Sequence, residues 1–200
     1  MPTGVHIRDA RQQLRDAAER ILLRDGPSAL TGRALTAEAG VAKGVLHRHF
    51  DGFDDFLVDL VRGRAAQLEA QADVLTASAG TGTVVANLVS ALTELFDPVV
   101  VSIVAIVTFN DELRSQLRAE GTTRGLPLLS DATAMFSSYL SAERDLGRIA
   151  ADADVDALGI ALVGSGHLVF ADRQAGPPDV RRVADVVDAI MADVVQRRLL

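Results

Sequence analysis

Basic and polar side chains recur on one side of a short segment near the N-terminus. Lys43, Gly44, His47 and Arg48 occupy positions i, i+1, i+4 and i+5, which lie on one face of a helix. The apolar side chains of the segment fall on the opposite face: Val45, Leu46 and Phe50. Lysine and arginine bind phosphates, and polar side chains on a helix read base edges in the major groove. The segment therefore has the chemistry to bind nucleic acid.

A second short helix is predicted directly before this segment. Its apolar residues are spaced for one buried face: Ala34, Leu35 and Ala39. Thr31 stands where a side-chain oxygen can cap the first free N–H groups. Gly40 tolerates the left-handed backbone that a tight turn requires. Two short helices joined by a glycine turn, the second one exposing basic groups, predict a helix-turn-helix over residues 31–50.

This stretch resembles the DNA-binding signature of TetR-type transcriptional regulators. The matching residues are Thr31, Leu35, Ala39-Gly40-Val41, Lys43-Gly44, Leu46 and Arg48-His49-Phe50, with Ala17-Ala18, Ile21 and Gly26 upstream and Phe56-Leu57 downstream. The resemblance and the exposed face together predict these DNA-contacting residues: Thr31, Arg33, Ala42, Lys43, Gly44, His47, Arg48 and His49.

The sequence departs from the family pattern at three positions. His47 stands where the family usually has tyrosine, and Phe53 stands where it usually has lysine. The resemblance implies that both family residues touch DNA phosphates. Ala42 replaces the more usual serine or threonine at the start of the second helix. None of these changes interrupts the apolar pattern, so the predicted fold is unaffected.

Charge is distributed unevenly along the chain. The net charge of the 200 residues is −7, which by itself argues against a nucleic-acid-binding protein. Residues 1–50, however, contain eight Lys and Arg against five Asp and Glu, whereas residues 51–200 contain 12 against 22. DNA binding requires local positive charge, so a basic head on an acidic body is compatible with it.

Composition restricts the cell compartment and the chemistry. Cysteine is absent, which excludes disulfides, thiolate metal sites and a cysteine nucleophile. The first residues are too polar for a signal peptide, and the longest apolar run, Val99–Phe109, is shorter than the roughly 20 residues that span a bilayer. We therefore expect a cytoplasmic protein without a membrane partner.

Helical periodicity extends over the whole chain and predicts an all-α protein of nine helices. Three helices form a predicted DNA-binding domain over residues 8–53, and six form a predicted effector-binding and dimerisation domain over residues 54–200. The run Val99–Phe109 is also rich in β-branched residues and could be a buried strand. We favour a buried helix that continues to about residue 121, because Leu113 and Leu117 follow at helical spacing.

The resemblance implies a small-molecule effector and a homodimer. A pocket for an apolar effector is predicted among these body residues: Phe96, Phe109, Met135, Phe136, Tyr139, His167 and Phe170. A dimer face on the last two helices is predicted at these residues: Leu158, Leu162, Gly166, Val183, Val187, Ile190 and Val194. The alternative for both sets is that they form the core of a monomer.

No catalytic or metal-binding constellation is predicted. His47 and His49 are two residues apart and point in different directions on a helix, whereas metal ligands on one helical face are spaced i, i+4. Ser165 lies in a Val-Gly-Ser-Gly-His run that resembles a nucleophile elbow, but Val163 replaces its first glycine and no strand precedes it. We therefore expect no enzyme activity, no cofactor and no metal.

The resemblance and the helical architecture together imply a dimeric, ligand-responsive repressor that binds a palindromic operator in double-stranded DNA and is released by a small apolar effector. Two alternatives remain open. One is a DNA-binding regulator without an effector, and the other is a small-molecule-binding helical bundle without a DNA function.

Overall fold

A computed structural model describes residues 10–119, 125–171, 176 and 178–195. Among these residues there is no β-strand, and a single β-bridge joins Ile149 to Val195. The helices are α1 (Ala10–Arg24), α2 (Gly32–Glu38), α3 (Lys43–His49), α4 (Phe53–Ala77), α5 (Val84–Leu95), α6 (Pro98–Phe109), α7 (Asp111–Ala119), α8 (Leu129–Asp145), α9 (Val155–Phe170) and α10 (Val180–Met191), with a short 3-10 turn at Pro27–Ala29. The all-α prediction is confirmed.

Side-chain caps explain where several body helices begin. Thr83 accepts from the Ala86 N–H at 3.1 Å at the start of α5, and Asp154 accepts from the Ala157 N–H at 3.0 Å at the start of α9. Asp97 accepts from the N–H groups of both Val99 and Val100 at the start of α6. Each cap satisfies donors that the first turn of a helix leaves free.

The helix predicted from residue 99 to about residue 121 is two helices in the structure. The apolar run forms α6, which excludes the strand alternative. The chain leaves helical geometry at Asn110, whose side-chain oxygen accepts from the Leu113 N–H at 3.0 Å and so starts α7. The prediction of a continuous helix was wrong because this cap starts a second helix.

The apolar spacing of the last helix predicts a helix over 180–199, but α10 ends at Met191. Val194 then accepts a hydrogen bond from the Ala150 N–H at 2.7 Å, which ties the chain back to the loop after α8. Residues 196–200 lie outside the described part of the chain, as do residues 8 and 9 of the predicted first domain.

Two hydrophobic cores are arranged along α4. The first contains α1 to α3, the N-terminal half of α4, and buried residues of α6 and α7 such as Ile103 and Leu117. The second contains the C-terminal half of α4 with α5, α8, α9 and α10. Between Val61 and Leu68, α4 passes from one core to the other. The domain boundary between residues 53 and 54 stays a prediction, since the first core includes residues on both sides of it.

In the described part of the chain, no single helix is long and apolar enough to cross a bilayer. Helices α5 and α6 meet that criterion only as a pair, and they are bent by 66° where they join.

Glu143 is a charged residue that is fully buried in the second core. Its Oε1 accepts from the Tyr139 hydroxyl at 2.6 Å and from the Gly80 N–H at 3.3 Å. The Arg148 guanidinium lies 3.3 Å from its Oε2. Burial, and then the hydrogen bond to Glu143, raises the pKa of Tyr139. This network fastens the loop after α4 to the end of α8.

Replacing Glu143 should destabilise the fold strongly. In Glu143→Ala the Arg148 charge and the Tyr139 hydroxyl lose their buried acceptor, so we expect the free energy of unfolding to fall by about 3–5 kcal/mol. The matched control is Glu112→Ala on the exposed face of α7, which should change it by less than about 0.5 kcal/mol. Urea denaturation of both variants measures the difference. Equal midpoints for the two variants would contradict a structural role for the network.

Candidate nucleic-acid interface

The helix-turn-helix begins at a capped helix and turns at a glycine. The Thr31 hydroxyl oxygen accepts from the Ala34 N–H at 3.2 Å, which caps α2. Gly40 has a φ of +66°, where a side chain would be strained. The N–H of Val41 then returns to the Thr36 carbonyl at 3.1 Å and completes the turn. The turn therefore fixes the direction in which α3 leaves α2.

Helix α3 has one buried face and one exposed face. Leu46 and Phe50 are buried in the first core, as the apolar spacing predicts. The opposite face is exposed and contains Lys43, Gly44, His47 and Arg48. The structure thus brings the four chemistry-bearing residues of α3 together on one surface.

Nothing in the described chain requires a glycine at the position of Gly44. Its φ is outside the left-handed region, and a Cβ placed on it would meet nothing within 4 Å. The position therefore tolerates a side chain as far as the described chain is concerned. A bare backbone here leaves room for another molecule to approach α3 closely.

Helix α1 positions α3 through arginines. Arg11 and Arg15 bind the same carboxylate, Asp59 on α4, at 3.2 and 2.7 Å. Arg11 also donates to the His49 carbonyl at 2.8 Å, and its guanidinium lies 4.6 Å from the centre of the Phe50 ring. The C-terminal end of α3 is therefore held between α1 and α4. Sequence analysis did not single out Arg11, because its partners are distant in sequence.

A second set of ion pairs holds α2 against α1. Arg20 and Arg24 donate to the two oxygens of Glu38 at 2.9 and 3.1 Å. These hydrogen bonds keep the pKa of Glu38 below its usual value. Gln13 also donates to the Ala39 carbonyl at 2.9 Å, at the turn itself. The whole helix-turn-helix is thereby braced by α1.

The basic residues of the head fall into two groups. The four arginines of α1 that face α2, α3 and α4 are engaged in the ion pairs above. Arg33, Lys43 and Arg48 are exposed, and none of them forms an ion pair with any residue of the described chain. The unpaired cations belong to α2 and α3, and the paired ones to the supporting helix.

The remaining predicted contact residues differ in accessibility. Thr31 and Ala42 are exposed, and Ala42 makes no side-chain cap for α3. His49 is half-buried. Phe53 is partly buried and stacks on Phe56 with 6.1 Å between ring centres, so it packs against the first core.

Carboxylates lie at the edge of the exposed basic surface of α2 and α3, and they were not among the predicted site residues. Asp51, Asp54 and Asp55 are exposed where α3 leads into α4, and they line an open depression of about 460 Å³ that Gln116 of α7 closes on the far side. The run DGFDD in the sequence was the available signal. These acids limit the basic surface to α2 and α3.

The predicted effector-pocket residues are mostly core in the structure. Phe96, Met135, Phe136 and Tyr139 are buried in the second core, whereas Phe109 is 89% exposed at the end of α6 and does not lie near them. Phe109 is exposed because α6 ends there, and the predicted effector pocket stays a prediction.

His167 lies beside two of the aromatic rings. Its ring centre is 6.0 Å from that of Phe96, and Phe170 stacks on Phe96 at 5.7 Å. Its Nδ1 is buried and has no hydrogen-bond partner among the residues that the structure describes, and burial lowers the pKa of the imidazole. His167 and Ser165 are two residues apart on α9 and do not form a nucleophile–base pair with each other. In the described residues no three His, Asp or Glu side chains converge as a metal site.

The predicted dimer-face residues also lie largely inside the chain. Leu162, Val183 and Val187 are buried in the second core. A Cβ on Gly166 would come within 2.6 Å of the Phe96 ring, so this glycine permits α9 to approach α5. Val194 is engaged by the loop after α8, and two others are only half-buried: Leu158 and Ile190. Leu162, Gly166, Val183 and Val187 therefore pack inside one copy of the chain, and the predicted dimer face stays a prediction.

A different apolar face of α9 is exposed. Ile160 is 64% exposed and Leu168 is 78% exposed, and Gly164 lies between them on the same side of the helix. These three residues are spaced by four, so they form one stripe along α9.

Comparison with known proteins identifies the head. Residues 14–60 match the family model for bacterial regulatory proteins of the tetR family. No curated protein matches the sequence. Solved structures with the same fold include SmeT, the repressor of the Stenotrophomonas maltophilia multidrug efflux pump SmeDEF, at 19% identity and a TM-score of 0.68, covering 96% of this chain and 94% of SmeT. SmeT has also been solved in complex with triclosan.

Two further structures have this fold. FadR from Bacillus subtilis, in complex with stearoyl-CoA, is 18% identical with a TM-score of 0.67, covering 91% of this chain and 98% of FadR. Reduced NemR from E. coli is 16% identical with a TM-score of 0.69, covering 96% of this chain and all of NemR. Residues 14–60 are therefore similar to the N-terminal domain of tetR-family bacterial regulatory proteins, and the chain as a whole shares the fold of these solved regulators.

Proposed function

We propose that the protein is a repressor that binds operator DNA through α3. The observation that carries this proposal is the division of the head cations. The arginines of α1 are neutralised by Asp59 and Glu38, whereas Lys43 and Arg48 of α3 are exposed and unpaired in the described chain. The paired arginines stabilise the fold, whereas the cations of α3 remain available to bind another molecule. A row of unpaired cations on one helix suits the phosphates of duplex DNA.

The exposed face of α3 would enter the major groove. Lys43 and Arg48 would contact phosphates, and His47 would reach base edges from the centre of the face. Gly44 would let the backbone approach the duplex. The Thr31 hydroxyl uses its oxygen to cap α2, so its proton is available to donate to a phosphate. Three more predicted residues lie at the border of this surface: Arg33, Ala42 and His49.

We propose that two copies associate through the exposed stripe of α9. Ile160, Gly164 and Leu168 form an apolar surface that a second copy can bury, and Gly164 lets the two helices approach closely. A dimer is required for a palindromic operator, because each head binds one half-site and the half-sites are separated by about one turn of DNA, roughly 34 Å.

A small molecule bound in the body would control release from the operator. The SmeT–triclosan and FadR–stearoyl-CoA complexes support this part of the proposal by their shared fold. By linkage, a ligand that weakens DNA binding must itself be bound more weakly when DNA is present. The predicted division into residues 8–53 for DNA and residues 54–200 for effector and dimer contacts belongs to the same proposal.

A regulator without an effector is the second candidate. The dense packing of Phe96, Phe136 and Tyr139, where an effector pocket was predicted, favours it. A regulator of this kind would show no change in DNA affinity with any body ligand.

Removing one cation from α3 should reduce the salt dependence of DNA binding. We expect Lys43→Ala and Arg48→Ala each to weaken binding and to lower the slope of log K against log salt by about 0.9, the contribution of one phosphate contact. Fluorescence anisotropy with a duplex selected from a random library, measured over a salt series, gives this slope.

Arg182→Ala is the matched control for these variants. Arg182 is an exposed arginine of α10. It is distant from the head in sequence, and its helix packs in the second core. Its slope should equal that of the unmodified protein. If Lys43→Ala and Arg48→Ala also leave the slope unchanged, α3 does not contact the phosphates.

Charges placed on the α9 stripe should separate the two copies. The double variant Ile160→Asp with Leu168→Asp would bury two unpaired carboxylates in the proposed interface, so we expect a monomer in sedimentation velocity. Val74→Asp on α4, where the wild-type side chain is 71% exposed, is the control and should remain dimeric. A double variant that still sediments as a dimer would move the interface elsewhere.

A further inference from the structure

An open groove lies on the body between α4, α5 and α8. Its volume is about 140 Å³, and its apolar wall contains Val74, Leu75, Ala91 and Met135. Of the residues predicted to contact an effector, only Met135 lines it. An engineered apolar cavity of roughly 150 Å³ accommodates a benzene molecule, so this groove suits a ligand of about one ring. The thioether of Met135 also favours an aromatic ring at this wall.

Among the described residues that line this groove, Glu94 is the one that carries a charge. It is exposed on α5, and its Oε1 accepts only from a neutral group, the Ser90 hydroxyl, at 3.2 Å. No basic nitrogen of the described chain lies within ion-pair distance of it. Arg64 lines the continuation of the groove together with Glu94, but Arg64 binds Glu19 and Asp97.

Three of the polar side chains around Glu94 have already used their protons. Ser78 donates its hydroxyl proton to the Leu75 carbonyl at 2.6 Å, and Ser90 donates to Glu94. The amide nitrogen of Asn87 donates to the Thr81 carbonyl and to the Tyr139 hydroxyl, both at 3.0 Å. These three side chains therefore have acceptor capacity left and no side-chain proton to give. The fourth polar side chain of the lining, Gln71, offers both an amide donor and an acceptor. Acceptors therefore predominate around Glu94, and a ligand that supplies donors fits the groove best.

We propose that the groove binds a compact aromatic primary ammonium, with its ring against Leu75 and Met135 and its ammonium group at Glu94. An ammonium offers three donors and a positive charge, which match the acceptors and the carboxylate. Anions meet an unpaired carboxylate and no free donor from Ser78, Ser90 or Asn87. The excess of acidic residues over basic ones in residues 51–200 attracts cations to the body as a whole. Only the effect of this ligand on DNA depends on the proposed function; its binding does not.

The test compares three probes that share a phenyl ring. Phenethylamine is the cation, 2-phenylethanol is the neutral analogue and phenylacetate is the anion. Isothermal titration with the full chain should give the tightest binding for phenethylamine, by about fivefold or more over each of the other two. Equal or tighter binding of phenylacetate or 2-phenylethanol would overturn the proposal.

Three variants locate the site. Glu94→Gln should weaken phenethylamine binding by about fivefold and leave 2-phenylethanol unchanged. Glu112→Gln is the matched control, because Glu112 is also exposed and also accepts from a neutral side chain four residues away, Gln116. Ala91→Leu fills the groove with a good helix former and should weaken binding of both probes. If Glu94→Gln and Ala91→Leu both bind phenethylamine as the unmodified protein does, the groove is not the site.

Anisotropy with the selected duplex then separates this inference from the proposed function. Phenethylamine should raise the dissociation constant of the DNA complex in the unmodified protein, and Glu94→Gln should need about fivefold more phenethylamine for the same effect. If phenethylamine binds through Glu94 and the DNA affinity does not change, the site stands and its role as an effector site is overturned. If the chain binds no DNA at all, the proposed function fails while the titration still decides the ligand class.

Discussion

Arg64 of α4 connects the head to the body. Its guanidinium binds Glu19 of α1 at 2.8 Å and Asp97 at 3.1 Å, and its side chain is only 13% exposed. Asp97 also caps α6 with its other oxygen, at 2.7 Å from the Val99 nitrogen. Asp97 therefore caps α6 and is linked through Arg64 to Glu19 of α1. The position of the supporting helix α1, and through it that of α3, depends on this ion-pair network and on the apolar core beneath it.

The shared core makes the head and part of the body a single packing unit. Buried residues of α6 and α7, including Val104, Val107 and Leu113, pack in the same cluster as Leu14 and Ile21 of α1. Packed interiors resist gradual deformation, so a shift of α6 must move α1 or open the core. The place where α4 leaves this unit lies between Val61 and Leu68. Helices α4, α6 and α8 each contribute residues to both cores, so a change in the second core can reach the head through them.

The sequence predicted the helices well where one face is apolar and the other polar. Periodicity identified α1 and α3, and the glycine turn located the helix-turn-helix, because local spacing alone decides these features. It could not place the break at Asn110, because the apolar positions continue in helical phase from α6 into α7 and only a side-chain cap interrupts them. It also could not place the end of α10, because Val194 continues the apolar stripe but bonds to a distant loop.

The same limit explains which site residues were predictable. On α3 the two faces differ in polarity, so the exposed residues Lys43 and Arg48 follow from the sequence. On α9 both faces are apolar, and spacing cannot tell that Leu162 points inward while Ile160 points outward. The structure decides this through Gly166, which brings one side of α9 against Phe96. The sequence therefore predicted the existence of an apolar face on this helix but not which face remains free.

The ligand preference of the α4–α5–α8 groove is still harder to predict from the sequence. Glu94, Ser90 and Asn87 are ordinary polar residues of an amphipathic helix, and their spacing predicts only a solvated face. They prefer a ligand with donors because the Asn87 amide nitrogen already donates to the Thr81 carbonyl and to the Tyr139 hydroxyl. Thr81 belongs to the loop after α4, and Tyr139 belongs to α8. The buried Glu143 network holds that loop and the end of α8 together. The selectivity of the groove is thus set by hydrogen bonds made outside it, and those partners meet only in the folded chain.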